Sequence, residues 1–317
     1  MKFNLKLGGR NHVLDTLKLG VVGQKKTMVV GIDVTHPAPG SLSKVPSVAG
    51  IVASVDECLG QWPAEIRIQA AGQEMVADLE DMFKSRLRLW ETGNNKTLPE
   101  NILVYRDGVS EGQYDDVVRQ ELSALRNACM KKYPAPATKA GKPHITIVIV
   151  GKRHNTRFFP TKQEDADDRG NPKNGTVVDR GITEARNWDF FLQSHTAVQG
   201  TARPAHYYVV YDQIFKNTKT ARGLEPAADA LENLTHNMCY LFGRATKAVS
   251  ICPPVYYAHL VCARARCYLQ HLPDFLSPPK TDAKSVGAII TGVKPDDKPD
   301  SKRLEIYSTV RDKMFYI

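Results

Sequence analysis

The chain has 317 residues, 42% hydrophobic and 24% charged, with 43 Lys and Arg against 34 Asp and Glu. That is ample for one large core and excludes a disordered chain, while the longest apolar strings, such as Ile145–Val150, are too short to cross a bilayer as a helix. Six cysteines without a CxxC pair or zinc-type spacing read as reduced thiols of an intracellular, cytoplasmic protein, and the net charge of +9 points to a polyanion where the basic residues cluster.

The opening Met1–Leu7 alternates apolar and polar residues as a strand does, which suggests a fragment cut mid-strand from a longer protein. The apolar run Met28–Val30 then leads into "GIDVTHPAPG" (Gly31–Gly40), which places Asp33 at a strand end with Thr35 and His36 behind it. Two further strands are predicted in "SVAGIVASV" (Ser47–Val55) and "AEIRIQA" (Ala64–Ala70). In the second, Glu65, Arg67 and Gln69 alternate with apolar residues, so one face should be wet. A helix is predicted from about Glu74, with Met75, Leu79, Met82, Phe83, Leu87 and Trp90 at helical spacing. The strand "NILVYRD" (Asn101–Asp107) follows, then a helix with Val118, Leu122, Leu125 and Cys129 on one side, then the strand "HITIVIV" (His144–Val150).

Later strands are expected near Thr176–Val178, Phe190–Ser194 and Tyr207–Tyr211, and helices around Ala228–Phe242 and Pro254–Tyr268. Pro134–Pro143, Thr161–Gly175 and Ser277 to about Lys302 read as loops, the last rich in Pro, Asp and Lys and expected to be mobile. Three strands, helix, strand, helix, strand is the order of an antiparallel meander continued by parallel crossover units. It defines an α/β chain with a ribonuclease H-like mixed sheet flanked by helices. One compact domain is expected over residues 21–317, after a short remnant of a preceding domain at 1–20.

Asp33 and Asp107 end strands that this topology makes parallel neighbours. Adjacent strands lie roughly 4.8 Å apart, so two carboxylates at matched ends can share a divalent cation. Magnesium takes oxygen ligands and keeps several waters, which suits a phosphate ester, and two ions about 4 Å apart clamp an in-line displacement. Two unrelated strand-end aspartates capping turns are the plain alternative.

The motifs "GIDVTHP", "YRDGVSEGQ", "KRHNTR", "QGTARPAHY" and "YYAHLVCARAR" resemble, in order and spacing, the PIWI domain of eukaryotic Argonautes. The likeness runs from about Lys2 to the C-terminal "MFYI", and the loop sequences resemble fungal members. It implies a small-RNA-guided endoribonuclease, a slicer, whose catalytic tetrad is Asp33, Glu74, Asp107 and His259, with Asp33, Asp107 and His259 as ligands of Mg2+ or Mn2+ in a two-metal site. The generic alternative for His259 is a satisfied histidine on a mostly apolar helix, and for Glu74 an acidic residue opening a helix. Because Glu74 follows Gly72, it is expected on a swinging arm, displaced or poorly ordered without nucleic acid.

Lys152, Arg153, His154 and Arg157 follow a strand, and Arg203 sits in "GTARP"; such residues are commonly solvated loop charges. The resemblance makes them the channel for guide and target backbones, where phosphate contacts give affinity without sequence readout. On the predicted helix from Pro254, Arg264 lies about 140° round from His259, so the two can serve different tasks. The resemblance places Arg264 at the guide 5′ phosphate with Lys2 and Lys6, and Arg244, Ser250 and Tyr256 at seed phosphates. Implied partners are a guide RNA, a complementary target RNA, MID, PAZ and N-terminal domains of the same longer chain, and disordered proteins with tryptophan motifs, with no membrane. Alternatives are a guide-binding silencing module that recruits partners and cuts little, and a stand-alone ribonuclease H or integrase-like enzyme.

Overall fold

The computed structural model describes residues 1–23, 26–38, 45–133, 142–217, 226–269 and 306–317. Its centre is an eight-stranded sheet in the order β3-β2-β1-β4-β5-β8-β7-β6. The strands are β1 (Thr27–Thr35), β2 (Ser47–Ala53), β3 (Ala64–Gln69), β4 (Asn101–Asp107), β5 (His144–Gly151), β6 (Thr176–Val178), β7 (Trp188–Gln193) and β8 (Ala205–Tyr211). β1, β2 and β3 form the antiparallel meander, and β1, β4 and β5 run parallel. The parallel strands are apolar on both sides because helices cover both faces. This is the mixed, helix-flanked sheet expected from the sequence.

The α-helices among the described residues are α1 (Lys2–Lys6), α2 (Gly20–Gly23), α3 (Leu79–Gly93), α4 (Tyr114–Asp116), α5 (Leu122–Lys132), α6 (Ala227–Met238), α7 (Pro253–Leu269) and α8 (Ser308–Arg311). On one face Val29, Tyr105, Val148 and Tyr207 meet α6 and α7 through Leu231, Leu234, Val255 and Val261. On the other, Val30, Val104 and Ile147 meet α3 and α5 through Phe83, Leu87, Leu122 and Leu125. α7 crosses β1 at backbone contact: a methyl group on Gly31 would lie 2.1 Å from the Pro254 carbonyl oxygen. Only glycine allows that approach.

Several local expectations change. Met1–Leu7 carries a short helix, α1, which buries Leu5 and leaves Phe3 and Leu7 outside. The face of β3 expected to be wet is covered: Arg67 and Gln69 are buried. Arg67 Nη1 donates to Glu65 Oε1 at 2.6 Å, and Arg86 Nη2 of α3 donates to Glu65 Oε2 at 3.3 Å, so charge pairing supports that burial. α3 starts at Leu79 with Asp78 as N-cap, five residues after the expected Glu74. The intervening chain is held by Gln69, whose amide donates to the Gln73 and Met75 carbonyls.

A π-helical turn, Val117–Glu121, joins α4 to α5 and adds a residue to the helical phase. Val117 therefore takes the buried place expected for Val118. Thr161–Gly175 is a loop with one 3-10 turn, Gln163–Asp165, and a bridge from Ala166 to Pro172. The expected loop over Ser277 to Lys302, and Pro134–Pro143 except Lys142 and Pro143, lie outside the described residues. All six cysteines are free, and no described helix is long and apolar enough to cross a membrane.

Glu232 of α6 is 8% exposed, and its Oε1 is buried without a hydrogen-bond partner. Burial, then the charges of Asp179 and Asp229, push its carboxyl up to about 7. A raised carboxyl favours the protonated fold, so its contribution is complete below about pH 4.5 and is lost as pH rises through 7. Glu232→Gln is therefore expected to be more stable than wild type at pH 8, by on the order of 1–3 kcal/mol, and equal to it near pH 4.5. Urea unfolding at the two pH values checks this, and an equal midpoint at pH 8 removes the argument.

Candidate metal centre

β1 and β4 pair in parallel with Ile32 opposite Arg106, so the next residues lie at one level: Asp107 ends β4, while Asp33 stands two residues before the end of β1, which runs on to Thr35 instead of stopping at the aspartate as expected. Both lie on the α7 side of the sheet, where alternation puts Val29, Gly31 and Asp33 together. α7 brings His259 to them. Its Nε2 contacts Asp107 Oδ2 and lies 3.8 Å from Asp33 Oδ2. The helix is fixed laterally by the Gly31 contact and by Cys262, whose Sγ donates to the Asp33 carbonyl oxygen at 3.5 Å.

One ligand atom from each of Asp33, Asp107 and His259 lies within 4.8 Å of the others. Two carboxylates and an imidazole fit a divalent cation: oxygens suit magnesium, and the nitrogen is easier for manganese. Burial, and then the charge of Asp107, push the Asp33 carboxyl above the usual range despite the opposing pull of His259. Burial depresses the His259 imidazole, but its hydrogen bond to the Asp107 carboxylate and the charge of Asp33 outweigh it and raise its pKa.

Glu74 stands beside this trio, tied in place instead of swung away as expected. Its Oε1 accepts from Arg106 Nη1 at 2.9 Å, and its Oε2 is 2.7 Å from His36 Nε2. Arg106 Nη2 also donates to the Glu74 backbone oxygen at 2.7 Å. Gly108, at φ +87°, leaves the space: a methyl group there would meet Glu74 Oε1 at 3.1 Å and Asp33 Oδ1 at 3.7 Å. The arm expected to swing is pinned by a guanidinium and an imidazole. These residues lay inside the quoted motifs without a role. The missed signal was Arg106 itself, a cation at a core position of a buried strand, which demands partners.

Arg106 is fully buried and binds Glu121 through Nε at 3.0 Å and Nη2 at 3.0 Å. His36 Nδ1 reaches Ser47 Oγ at 2.8 Å, which in turn accepts from the Gly72 amide at 3.0 Å. The segment from Gly72 to Glu74 is thus tied to β1, β2 and β4 at once.

The basic residues fall into two groups. Lys152 Nζ contacts Ser250 Oγ, and burial followed by the charge of Arg203 lowers its pKa to about 8. Arg153 is exposed near enough to influence His259. His154 bonds the Pro204 carbonyl at 3.0 Å, and Arg157 donates to the Thr156 carbonyl at 2.6 Å, so these two shape the loop. The other group surrounds the far side of α7. Lys2 and Lys6 share a face of α1 by i,i+4 spacing, instead of by strand alternation. α1 packs its Leu5 near Gly243, whose amide donates to the Tyr257 hydroxyl at 2.8 Å. Arg244 follows Gly243, Tyr256 lies against Phe242 with ring centroids 4.3 Å apart, and Arg264 is seven residues beyond Tyr257 on the same helical side.

The mixed sheet and its strand-end carboxylates define a ribonuclease H-like protein. A Piwi domain family model matches residues 1–270, and the chain belongs to that family. It is 41% identical over 285 residues to rice protein argonaute 18, covering 86% of this chain and 24% of that protein. It is 38% identical over 335 residues to Arabidopsis protein argonaute 10, covering 97% of this chain and 32% of the relative. The chain thus spans about a quarter to a third of these curated relatives. Among solved structures, Kluyveromyces polysporus Argonaute with a guide RNA aligns with TM-score 0.79 at 30% identity, over 100% of this chain and 36% of that one. The MID-PIWI domains of Neurospora crassa QDE-2 align with TM-score 0.60 at 32% identity, over 100% of this chain and 65% of that one.

Removing Arg106 leaves Glu121, 2% exposed, as an unpaired buried charge. Arg106→Met is expected to destabilise by about 3–5 kcal/mol in denaturant unfolding, and Arg106→Met with Glu121→Leu by clearly less. His36→Ala, at a side chain 36% exposed, should cost under about 1 kcal/mol. A small loss in Arg106→Met contradicts the assignment of Arg106 as the central tie.

Proposed function

We propose that this chain is the cleaving domain of a small-RNA-guided endoribonuclease. The observation that carries it is the convergence of Asp33, Asp107 and His259, with Glu74 held next to them by His36 and Arg106. Asp33, Asp107 and His259 would hold Mg2+ or Mn2+, which when bound supplies an activated water and neutralises charge on a scissile phosphate. The protein side chains position the site: Arg106 fixes Glu74 and braces the end of β4, while α7 sets the distance of the imidazole from the sheet.

Lys152, Arg153 and Arg203 would hold the RNA backbone, and Lys2, Lys6 and Arg264 the guide 5′ phosphate. Such contacts do not read sequence, which base pairing to the guide supplies. The guide RNA named with the yeast structure supports this reading, as do the likenesses to Argonautes. A fungal origin belongs to the same proposal, supported by the loop sequences and by the yeast and Neurospora likenesses. Preceding MID, PAZ and N-terminal domains, tryptophan-motif partners and a cytoplasmic location are proposed with it. Residues 1–20 would belong to the junction with the preceding domain.

In the full-length, guide-loaded protein, Asp33→Ala or Asp107→Ala is expected to abolish single-turnover cleavage of a matched RNA and leave guide and target binding intact. Cleavage at near wild-type rate by either variant sinks the metal-centre assignment. A wild type that binds guide and target but does not cut favours silencing by partner recruitment. Lys152→Ala should weaken RNAs of unrelated sequence alike and flatten the slope of log affinity against log salt by about one unit. An unchanged slope removes Lys152 from the RNA contacts and leaves it as the partner of Ser250 alone.

A further inference from the structure

Away from the metal centre, Phe159 and the loop residues 169–171 and 199–201 line an open recess of about 530 Å3. Its volume is within the range of small-ligand sites, roughly 300–1,000 Å3. Phe159 lines it with a ring that is 68% exposed, beside Arg169, Gln199 and Thr201. Among the described residues the side chains of Arg169, Gln199 and Thr201 have no hydrogen bond or ion pair, and the Phe159 ring has no aromatic neighbour. A guanidinium, an amide, a hydroxyl and an aromatic face all stand uncommitted around one space.

The walls are fixed. Asn171 is 3% exposed, and its amide nitrogen donates to the Gly200 carbonyl at 3.1 Å while its oxygen accepts from the Ala202 amide at 2.7 Å. Asp167 Oδ1 accepts from the amides of Arg169 and Asn171 at 2.9 Å each, which closes the turn that carries Arg169. The recess is therefore formed before any ligand arrives. It also has a direction. Phe159 lies two residues beyond Arg157, and Thr201 two before Arg203, whose charge acts on Lys152. No carboxylate lines it.

We propose that the recess receives one unstacked nucleobase of single-stranded RNA, stacked on Phe159. Arg169 faces the adjoining phosphate, and Gln199 and Thr201 bond the base edge. Aromatic stacking with nearby cations is how sequence-tolerant single-strand sites hold bases, and RNA-binding surfaces use splayed bases in this way. A peptide fits less well, because the lining offers a single aromatic ring and no further apolar side chain. The inference rests on the RNA-binding reading above.

The test uses the full-length protein and short single-stranded RNAs of mixed sequence. Phe159→Ala should weaken their binding by about 5- to 150-fold, the range for losing one stacked base, with an unchanged melting temperature because the ring is exposed. Phe159→Trp should bind as wild type, and its added indole emission should be quenched by RNA. RNA carrying 5-iodouridine should photocrosslink to residue 159 in the wild type. Wild-type affinity in Phe159→Ala together with no crosslink overturns the proposal while leaving RNA binding elsewhere intact, the pattern also expected if the recess takes a protein segment. A wild type with no measurable RNA affinity, unaffected by Lys152→Ala, overturns the RNA-binding reading and the recess with it.

Discussion

A guanidinium with no solvent exposure must be answered by acceptors on every side, and Arg106 is such a group. Its acceptors come from three places: Glu74 on the chain after β3, Glu121 in the helical turn after β4, and the carbonyl of its neighbour Asp107. The same contacts that solve the desolvation of one cation hold three segments at the carboxyl end of the sheet. The geometry around Asp33 and Asp107 follows from that solution. Arg106 points to the α3/α5 face while Asp107 points to α7, so one strand supports the site from beneath and supplies a ligand above.

From the other face the site depends on a close approach instead of a charge. Gly31 lets the start of α7 touch β1, and Cys262 seats the same helix against the carbonyl of Asp33. His259 lies between these two anchors along the helix, which limits how far the imidazole can move relative to the aspartates. The basic loops are arranged differently. Arg157 spends its guanidinium on loop carbonyls and Lys152 its ammonium on the Ser250 hydroxyl, whereas Arg153 is exposed, so residues of like charge have unlike tasks.

The sheet was legible because its central strands are nearly continuous apolar runs with crossover helices between them, and their lengths leave few topologies. The paired aspartates were legible because they end two such runs. The first seven residues were not, since Lys2 and Lys6 share a face under either a two-residue or a 3.6-residue period. Only the burial of Leu5 decides for the helix. The covered face of β3 escaped because the α3 partners of Glu65, Ser85 and Arg86, lie about twenty residues later, beyond any local alternation. The ties of Glu74 escaped as well, since a glycine upstream announces a bend and not whether the chain beyond it is tied. His36 and Arg106 were in plain view within the motifs, and only their contacts disclose what they hold.

The π-helical turn has a consequence for how this chain can change in length. Val117, Glu121 and Leu122 are all buried, and a regular helix cannot turn all three toward the same interior, because positions five apart diverge by about 140°. The widened turn lets the carboxylate reach Arg106 while Leu122 and Leu125 keep their places against the core. Losing one residue between 118 and 120 would leave Val117, Glu121 and Leu122 at three- and four-residue spacing, which an ordinary helix already turns to one side, so the ion pair and the packing of α5 would both survive. Side chains facing solvent there can be exchanged freely. The spacing of thirteen residues between Asp107 and Glu121 can therefore shrink by one at this turn, which is where the segment absorbs a change of length.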